Sequence, residues 1–317
     1  MNKPVICLMG ATATGKTDIA IGLRARFPVD IISVDSALVY RGMDIGTAKP
    51  STELLAEHPH QLVDILDPED SYSAGEFVVD ARAAIDRCHA EGRIPLLAGG
   101  TMMYFRALTR GIADLPAANP AIRARIDADA SERGWPALHA QLAAVDPLLA
   151  GRISENDGQR IQRALEVFEQ SGIPLSEWQS RGAQEPAGEG LRFIKLGLLI
   201  EPRRRLHERI AERLKIMINN GLEDEVKTLM TRDALTPEHP SMRSVGYRQF
   251  WAYLAGRTDL KTASDKALFA TRQLAKRQIT WLRSETSLQT FDALESGTFD
   301  AISRTIAAET GANTTGP

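Results

Sequence analysis

A glycine-rich loop near the N-terminus is the clearest candidate for a functional motif in the sequence. Residues 10–17 read Gly-Ala-Thr-Ala-Thr-Gly-Lys-Thr and match the P-loop pattern G-x-x-x-x-G-K-[ST]. In such a loop the backbone N–H groups point at phosphate oxygens, and the helix that follows contributes its positive end. Lys16 is expected to neutralise those oxygens, and Thr17 is expected to hold Mg²⁺ through its hydroxyl. The loop predicts a bound phosphate chain and does not define the reaction.

Two other candidates, Asp35 and Thr101, each follow an apolar run. Ligands of open α/β sheets bind at the carboxyl ends of the strands, so both side chains are expected in one cleft. An aspartate there can hold a metal, contact a ribose, accept a proton or only cap a turn. The run before Thr101 ends without an acid, which disfavours a motor ATPase and favours a transferase or a small-molecule kinase.

The elements that position these residues follow from hydrophobic patterning. Apolar runs at residues 5–9, 30–34 and 94–98 alternate with helical stretches, and Ser73 with Glu76 has the spacing of a capping box that opens a helix to about Ala90. Continuous apolar strands that alternate with helices indicate a parallel sheet covered on both faces. The predicted fold is therefore α/β, a P-loop NTPase-like sheet with helices on both faces and a helical insertion domain.

Four segments are expected along the chain. Residues 1–115 form the first part of the core, and residues 116–190 lack a convincing strand and are predicted to form the helical insertion. Residues 191–300 return to the core with a strand near 193–200 and basic C-terminal helices. Residues 301–317, rich in Thr, Gly and Ala, are expected to be a disordered tail.

Charge is distributed unevenly along a chain of 317 residues whose net charge is -3. Between Arg243 and Arg283 there are nine Lys or Arg residues against two Asp residues. A basic segment on an acidic protein suggests an anionic partner, although a solvated helix face would show the same pattern. No apolar run approaches the ~20 residues that span a bilayer, and no signal peptide is evident, so a cytoplasmic protein without membrane contact is expected.

Helical spacing places basic groups on single faces. Gln159, Arg160 and Arg163 share one face opposite an apolar stripe. Near the C-terminus, Lys276 and Arg283 lie on a basic face of another amphipathic stretch. Such faces could bind the phosphate backbone of a nucleic acid. Either helix, considered alone, could equally be an amphipathic helix whose basic face only contacts solvent. The two cysteines, Cys7 and Cys88, have neither disulfide nor zinc spacing and are interpreted as small core residues.

Taken in order, these segments resemble the tRNA dimethylallyltransferases, also called tRNA isopentenyltransferases. The resemblance covers about residues 5 to 285 and is most specific around Asp35 and around Lys276. The stretches that carry it are residues 10–17, 32–40, 42–50, 72–77, 99–104, 159–167, 244–249 and 271–283. Ala11 stands where the family often has Pro, and the cysteines of the zinc finger found in many eukaryotic relatives are missing. Both departures are minor, and the second points to a bacterial-type enzyme.

The resemblance implies an activity and its partners. A dimethylallyl group would pass from dimethylallyl diphosphate to the exocyclic amine of the adenosine 3′-adjacent to the anticodon. The partners are then the donor, the anticodon stem-loop of tRNA and Mg²⁺, with no membrane and with a monomeric enzyme. The insertion is expected to bind the stem-loop, with the adenine flipped out of its stack to reach the P-loop.

Roles for individual residues come with the same resemblance. Asp35 is expected to be the general base and Thr101 a positioning group. The implied diphosphate-binding residues are Gly10, Thr12, Ala13, Thr14, Gly15, Lys16, Thr17 and Arg213. The implied tRNA contacts are Asp35, Ser36, Ala37, Leu38, Thr101, Arg123, Gln159, Arg160, Ile161, Gln162, Arg163, Arg243, Ser244, Val245, Gly246, Tyr247, Arg248, Lys276, Arg277, Gln278, Ile279, Thr280, Trp281, Leu282 and Arg283.

Three other functions stay open on the sequence. An adenylate isopentenyltransferase would perform the same chemistry on a free nucleotide and would not need the insertion or the basic C-terminal helix. A small-molecule kinase would turn over ATP and show no RNA affinity. A non-catalytic RNA-binding protein that keeps the P-loop as a relic would be indifferent to Asp35→Ala.

Overall fold

A single parallel β-sheet organises the chain. The computed structural model describes residues 2–111, 113, 115–182 and 190–312. The sheet has six strands in the order β3-β2-β4-β1-β5-β6, and every pair is parallel. The strands are β1 (Lys3–Gly10), β2 (Val29–Val34), β3 (His60–Gln61), β4 (Ile94–Gly99), β5 (Leu191–Leu199) and β6 (Leu288–Asp292).

Helices fill the connections between the strands. In chain order they are α1 (Lys16–Arg26), α2 (Thr52–Glu57), α3 (Ala74–Ala90), α4 (Met102–Arg110), α5 (Pro120–Arg133), α6 (Trp135–Val145), α7 (Pro147–Ala150), α8 (Gly158–Ser171), α9 (Leu175–Gly182), α10 (Arg203–Asn219), α11 (Leu222–Met230), α12 (Tyr247–Leu254), α13 (Leu260–Arg283) and α14 (Thr298–Thr310). The predicted capping box opens α3, with Ser73 accepting from the Glu76 N–H and Glu76 accepting from the Ser73 N–H.

The central strands form because their residues are apolar on both faces. Residues 5–8 of β1 are fully buried, with β4 on one side and β5 on the other. A strand covered on both faces has no polar side to show, which matches the continuous apolar runs in the sequence. Against them pack Leu23 and Phe27 from the α1 region and Ile302 from α14. The α/β prediction with a parallel sheet is confirmed.

Contacts within the chain define two compact units. The first comprises residues 1–107 and 190–317, and the second comprises residues 108–189. Within its described residues the second unit contains the end of α4 and helices α5 to α9, and no strand. Its core is its own and includes Ile126, Leu142 and Ile161. The sequence placed the insertion at residues 116–190.

Three elements differ from what the sequence suggested. β3 has only two residues and β6 carries few apolar ones, so neither produces a readable strand pattern. The expected disordered tail from residue 301 is wrong up to Thr310, because α14 extends to that residue. Ile302 and Ile306 of α14 are fully buried against the sheet, which stabilises a helix of modest intrinsic propensity. Residues 313–317 lie outside the described part of the chain.

Both cysteines are buried and free, as the sequence indicated. Among the described residues, no helix combines the length and the apolar character that crossing a bilayer requires.

Candidate active site

The P-loop connects β1 to α1 in a backbone conformation that its glycines permit. Gly15 lies in the left-handed region with φ +87°, and Ala13 adopts φ +63°. The Thr14 hydroxyl donates to the Ala11 carbonyl at 2.8 Å and closes the loop. A Cβ at Gly10 would lie 2.8 Å from that hydroxyl, so no larger residue fits there. The loop therefore has the shape that an anion cradle requires.

Lys16 points back into this loop. Its Nζ donates to the Ala11 carbonyl at 2.7 Å, and the side chain is half-buried. The pKa of Lys16 is lowered to about 7, chiefly by burial and also by the neighbouring Arg213, while Asp35 opposes the shift. A polyanion in the loop would add opposite charge and restore the protonated form. Lys16 therefore has the electrostatics of a phosphate-binding residue.

Two arginines of α10 face the same loop. The Arg209 Nε donates to the Ala13 carbonyl at 2.8 Å, and an Arg213 amino group donates to the Thr47 carbonyl at 3.2 Å. Burial lowers the pKa of Arg213, and Arg209 adds to that effect while Asp35 opposes it. Arg213 was expected at this site, but Arg209 was not. The i, i+4 spacing of the two arginines, which puts them on one helix face, was the available signal.

Asp35 and Thr101 meet at the carboxyl ends of β2 and β4. The Oδ1 atom of Asp35 accepts the N–H groups of Ala37 at 2.8 Å and Leu38 at 3.3 Å. The Ser36 N–H donates to the Thr101 hydroxyl at 3.1 Å, which ties the two strand ends together. Both bonds to Asp35 go to the same carboxylate oxygen. The structure brings these two predicted residues together.

Gln278 of α13 bridges the P-loop and the end of β4. Its Oε1 accepts the Thr12 N–H at 2.9 Å, and its Nε2 donates to the Gly100 carbonyl at 2.9 Å. The Thr12 N–H, expected to face the diphosphate, is thus already paired. Gln278, expected to contact tRNA, is half-buried and turned inward. Sequence reasoning missed this bridge because its partners are 266 residues apart.

A second network holds the loop that carries Thr47. The Glu225 carboxylate accepts the N–H groups of Asp44 at 2.8 Å, Ile45 at 2.7 Å and Gly46 at 3.0 Å. It also accepts the Tyr247 hydroxyl at 2.6 Å. Burial raises the pKa of Tyr247, and the Glu225 charge raises it further, so the phenol remains a donor. This loop in turn supplies the carbonyl that Arg213 contacts.

The expected tRNA contacts divide by exposure. The exposed members are Ser36, Gln159, Arg160, Arg243, Arg248, Lys276, Arg277, Thr280, Trp281 and Arg283. The side chains of Ile161, Tyr247, Ile279 and Leu282 are buried. These four side chains pack inside the protein, and the tRNA contacts expected at their positions stay predictions. All four are apolar or aromatic residues that adjoin polar ones in the sequence.

Trp281 is 37% exposed and is paired with a residue that the sequence did not single out. The Arg106 guanidinium carbon lies 5.6 Å from the Trp281 ring centroid. Arg106 is on α4, which begins directly after Thr101. The pair forms a cation–π contact at the end of α13 that carries the exposed basic residues.

In the second unit, Arg123 and Arg163 are bound to a buried carboxylate. The Glu166 side chain is fully buried and accepts from the Arg123 Nε at 2.9 Å, an Arg163 amino group at 2.7 Å and the Asn119 N–H at 2.7 Å. Burial raises the pKa of Glu166, but the bonds from Arg123 and Arg163 outweigh it and the pKa lies below its usual value. These arginines are therefore held by the fold, whereas Arg160 is exposed.

The residues at the P-loop fit a magnesium ion that arrives with its ligand. Thr17 is exposed at the first turn of α1 and offers one hydroxyl. The described part of the chain contains no group of three or more His, Cys, Asp or Glu residues that could hold a metal. Mg²⁺ commonly keeps waters and binds through substrate phosphates, so one protein hydroxyl is compatible with it.

Comparisons with known proteins agree on one family. The family model described as IPP transferase matches residues 38–285. A tRNA dimethylallyltransferase from Paraburkholderia phymatum is 55% identical over 283 residues, which is 89% of each chain. The crystal structure of the full-length tRNA isopentenylpyrophosphate transferase from Bacillus halodurans has a TM-score of 0.71 at 33% identity and covers 98% of this chain and 97% of its own.

A eukaryotic dimethylallyltransferase described as acting on tRNA has a TM-score of 0.78 at 26% identity. It covers 97% of this chain and 78% of its own.

Proposed function

The chain belongs to the tRNA dimethylallyltransferase family, and from that premise we propose that it transfers a dimethylallyl group from dimethylallyl diphosphate to the exocyclic amine of the adenosine 3′-adjacent to the anticodon. One observation carries the assignment of the site. The ends of β1, β4 and β2 are neighbours, since Gly99 pairs with both Met9 and Val34. The P-loop, Thr101 and Asp35 therefore leave the sheet at one edge, so a phosphate cradle and a carboxylate face the same reactants.

The P-loop side receives the leaving group. As the C–O bond of the donor breaks, negative charge grows on the diphosphate. Lys16, Arg209 and Arg213 converge on that loop, where preorganised cations and amides stabilise developing charge without reorganising. Mg²⁺, held by Thr17 and the diphosphate oxygens, would supply further neutralisation when bound. Departure of diphosphate is thereby made easier.

Asp35 receives the proton. The adenine amine forms a C–N bond with the allyl carbon, and its N–H proton passes to the Asp35 carboxylate as diphosphate leaves. An aromatic amine is a weak nucleophile, so loss of this proton during attack lowers the barrier. The two N–H bonds to Oδ1 fix the carboxylate, and Oδ2 is assigned as the proton acceptor. Thr101, tied to Ser36, holds the strand ends in place.

The RNA must present its adenine to this edge. A base stacked in the anticodon loop has to be flipped out, which costs a few kcal/mol. Phosphate contacts offset that cost, and exposed Lys276, Arg277 and Arg283 on α13 are candidates for them. In the second unit, exposed Gln159 and Arg160 at the start of α8 are the corresponding candidates for contacts with the stem-loop.

The test is a transfer assay with matched variants. Purified protein, Mg²⁺ and labelled dimethylallyl diphosphate are incubated with an anticodon stem-loop, with a stem-loop lacking the target adenosine, or with AMP. Wild type is compared with Asp35→Asn and with Asp233→Asn, which alters an exposed aspartate outside the site. We expect label only on the adenosine-containing RNA, with Asp35→Asn reduced by about 100-fold or more and Asp233→Asn unchanged.

Each alternative gives a different result. Label on AMP in preference to RNA would indicate an adenylate isopentenyltransferase. Phosphate transfer from ATP without prenyl transfer would indicate a kinase. Equal activity of wild type and Asp35→Asn would remove Asp35 from the role of base.

A further inference from the structure

Gln278 connects the P-loop with the loop that follows β4. One end of its amide accepts the Thr12 N–H and the other donates to the Gly100 carbonyl, both at 2.9 Å. Each amide atom thus has a partner of the correct polarity. The bridge spans the first turn of the P-loop and the loop that leads from β4 to Thr101.

The fit around this amide is close. A Cβ built on Gly100 would lie 2.6 Å from the Gln278 Nε2 and 3.2 Å from the Gly10 carbonyl. Ile279, the next residue, packs with Ala11, Ala13 and Ile210 beneath the P-loop. The helix is therefore anchored at the position from which Gln278 reaches the loop.

The same turn of α13 also carries exposed cations. Lys276 and Arg277 precede Gln278 and are exposed, and Trp281 follows it by three residues. Residues three and four apart lie on neighbouring positions of a helix surface. One turn of α13 therefore has an outward basic surface and an inward amide that binds the P-loop.

We propose that Gln278 is a positioning residue. It holds the P-loop and the loop that leads to Thr101 in a fixed relative position, and it couples both loops to α13, the helix on which RNA docks. This inference rests on the proposed function. In this role Gln278 does not contact RNA. It occupies the Thr12 N–H, which is then not available to bind phosphate, and it fixes the direction of the other P-loop N–H groups. The affinity for dimethylallyl diphosphate and the turnover therefore depend on Gln278, whereas the affinity for RNA does not.

The experiment separates donor binding, RNA binding and stability. Gln278→Met keeps the side-chain length and removes both bonds, and Gln273→Met on the same helix is the control. Binding of magnesium pyrophosphate is measured by calorimetry, binding of an anticodon stem-loop by fluorescence anisotropy, and thermal unfolding by circular dichroism. For Gln278→Met we expect a loss of about 10- to 100-fold in kcat/KM for the donor and weaker pyrophosphate binding, because small misplacements of catalytic groups have effects of this size.

A second variant tests the polarity of the bridge. Gln278→Glu keeps an acceptor for Thr12 but directs a carboxylate oxygen at the Gly100 carbonyl. When protonated, the same carboxyl again has one acceptor and one donor. We therefore expect the defect of Gln278→Glu relative to wild type to shrink as pH falls towards about 5, while the defect of Gln278→Met stays constant. A packing role that does not use the two hydrogen bonds would not produce that difference.

Two results would overturn the inference. Stem-loop binding that weakens with pyrophosphate binding unchanged would make Gln278 an RNA contact. Loss of thermal stability with wild-type pyrophosphate binding and donor KM would make it only a packing residue. If wild type fails to prenylate RNA but its pyrophosphate binding depends on Gln278, the positioning of the P-loop by Gln278 stands, while its link to RNA docking and the proposed function are wrong.

Discussion

Lys16 is the residue whose charge depends most directly on whether the P-loop is filled. Burial and the adjacent Arg213 hold its pKa at about 7. The bound diphosphate adds negative charge and should raise that pKa well above 7. The empty site therefore binds fewer protons near neutral pH than the filled one. Binding should be coupled to proton uptake.

We predict that pyrophosphate binding at pH about 8 takes up a proton through Lys16 and that affinity falls as pH rises above about 7, by at most about tenfold per pH unit. Calorimetry in buffers of different ionisation enthalpy measures the uptake. Lys16→Met supplies the control, since it retains only the ionisation of the ligand. Arg213→Met should shift the fall in affinity to higher pH, because removing the positive charge beside Lys16 raises the pKa of Lys16. Equal uptake by wild type and Lys16→Met would contradict the prediction.

At the scale of elements, Glu225 shows how one carboxylate orders a loop. It accepts three consecutive backbone N–H groups of residues 44–46 and the Tyr247 hydroxyl. A Cβ on Gly46 would lie 2.6 Å from the Tyr247 ring, so the loop and the ring fit only with glycine there. The loop that orients Arg213 therefore depends on α11 and α12.

We predict that Glu225→Gln loosens this loop. Hydrogen bonds to a charged group contribute about 1.5–3 kcal/mol each, so local opening should become easier by about that amount or more. Amide hydrogen exchange of a peptide covering residues 43–49 should be at least about tenfold faster. Glu223→Gln on the same helix loses an ion pair with the exposed Lys227 and should leave exchange unchanged. Unchanged exchange in Glu225→Gln would show that the loop is held by other contacts.

Helix α13 has an exposed basic face and a buried apolar face, and substitutions on the two faces should have different effects. Lys276 and Arg277 are exposed, while Leu282 is buried. We predict that Lys276→Ala or Arg277→Ala lowers the salt dependence of stem-loop binding, with a slope change of about one per lost phosphate contact. Fluorescence anisotropy over a range of KCl concentrations measures the slope.

Two further variants define the limits of that prediction. Lys261→Ala, at the start of the same helix and paired with Asp265, should not change the slope. Leu282→Ala should instead destabilise the protein by about 2–5 kcal/mol through a cavity. Identical slopes for wild type and both cation variants would mean that α13 does not contact the RNA backbone.

At the scale of the whole molecule, the second compact unit has the attributes of an autonomous domain. Its core residues, among them Leu138, Leu142 and Val167, all come from residues 108–189. Buried Glu166 joins the start of α5 to α8 through its bonds to Asn119 and Arg123. A unit with its own apolar core and internal polar links satisfies the requirement for independent folding.

We predict that a fragment of residues 108–189 folds alone into a helical domain. Circular dichroism should show cooperative thermal unfolding, although a domain of this size is only marginally stable. Glu166→Ala in the fragment should cost about 1–3 kcal/mol, because it removes the hydrogen bonds to Arg123 and Arg163 while both partly exposed arginines keep access to water. Glu155→Ala, at an exposed position, is the control. A non-cooperative transition in the wild-type fragment would show that it needs the rest of the chain.

The amino-acid sequence by itself determined the features that depend on neighbouring residues. The P-loop, the capping box at Ser73 and the apolar strands are encoded in short sequence windows, because local sterics and hydrogen bonding select them. The proximity of Asp35 and Thr101 was predictable because parallel strands bring their carboxyl ends to one edge of the sheet. The family resemblance also depends on these windows.

Only the tertiary structure decided which groups meet across the chain. Gln278 reaches Thr12 over 266 residues, and Glu225 reaches Asp44 over 181. It also decided that Tyr247 and Leu282 are buried beside exposed neighbours, and that α14 is ordered by burying its isoleucines. Such contacts depend on topology and on the apolar area that packing removes from water, and neither quantity is a property of a short sequence window.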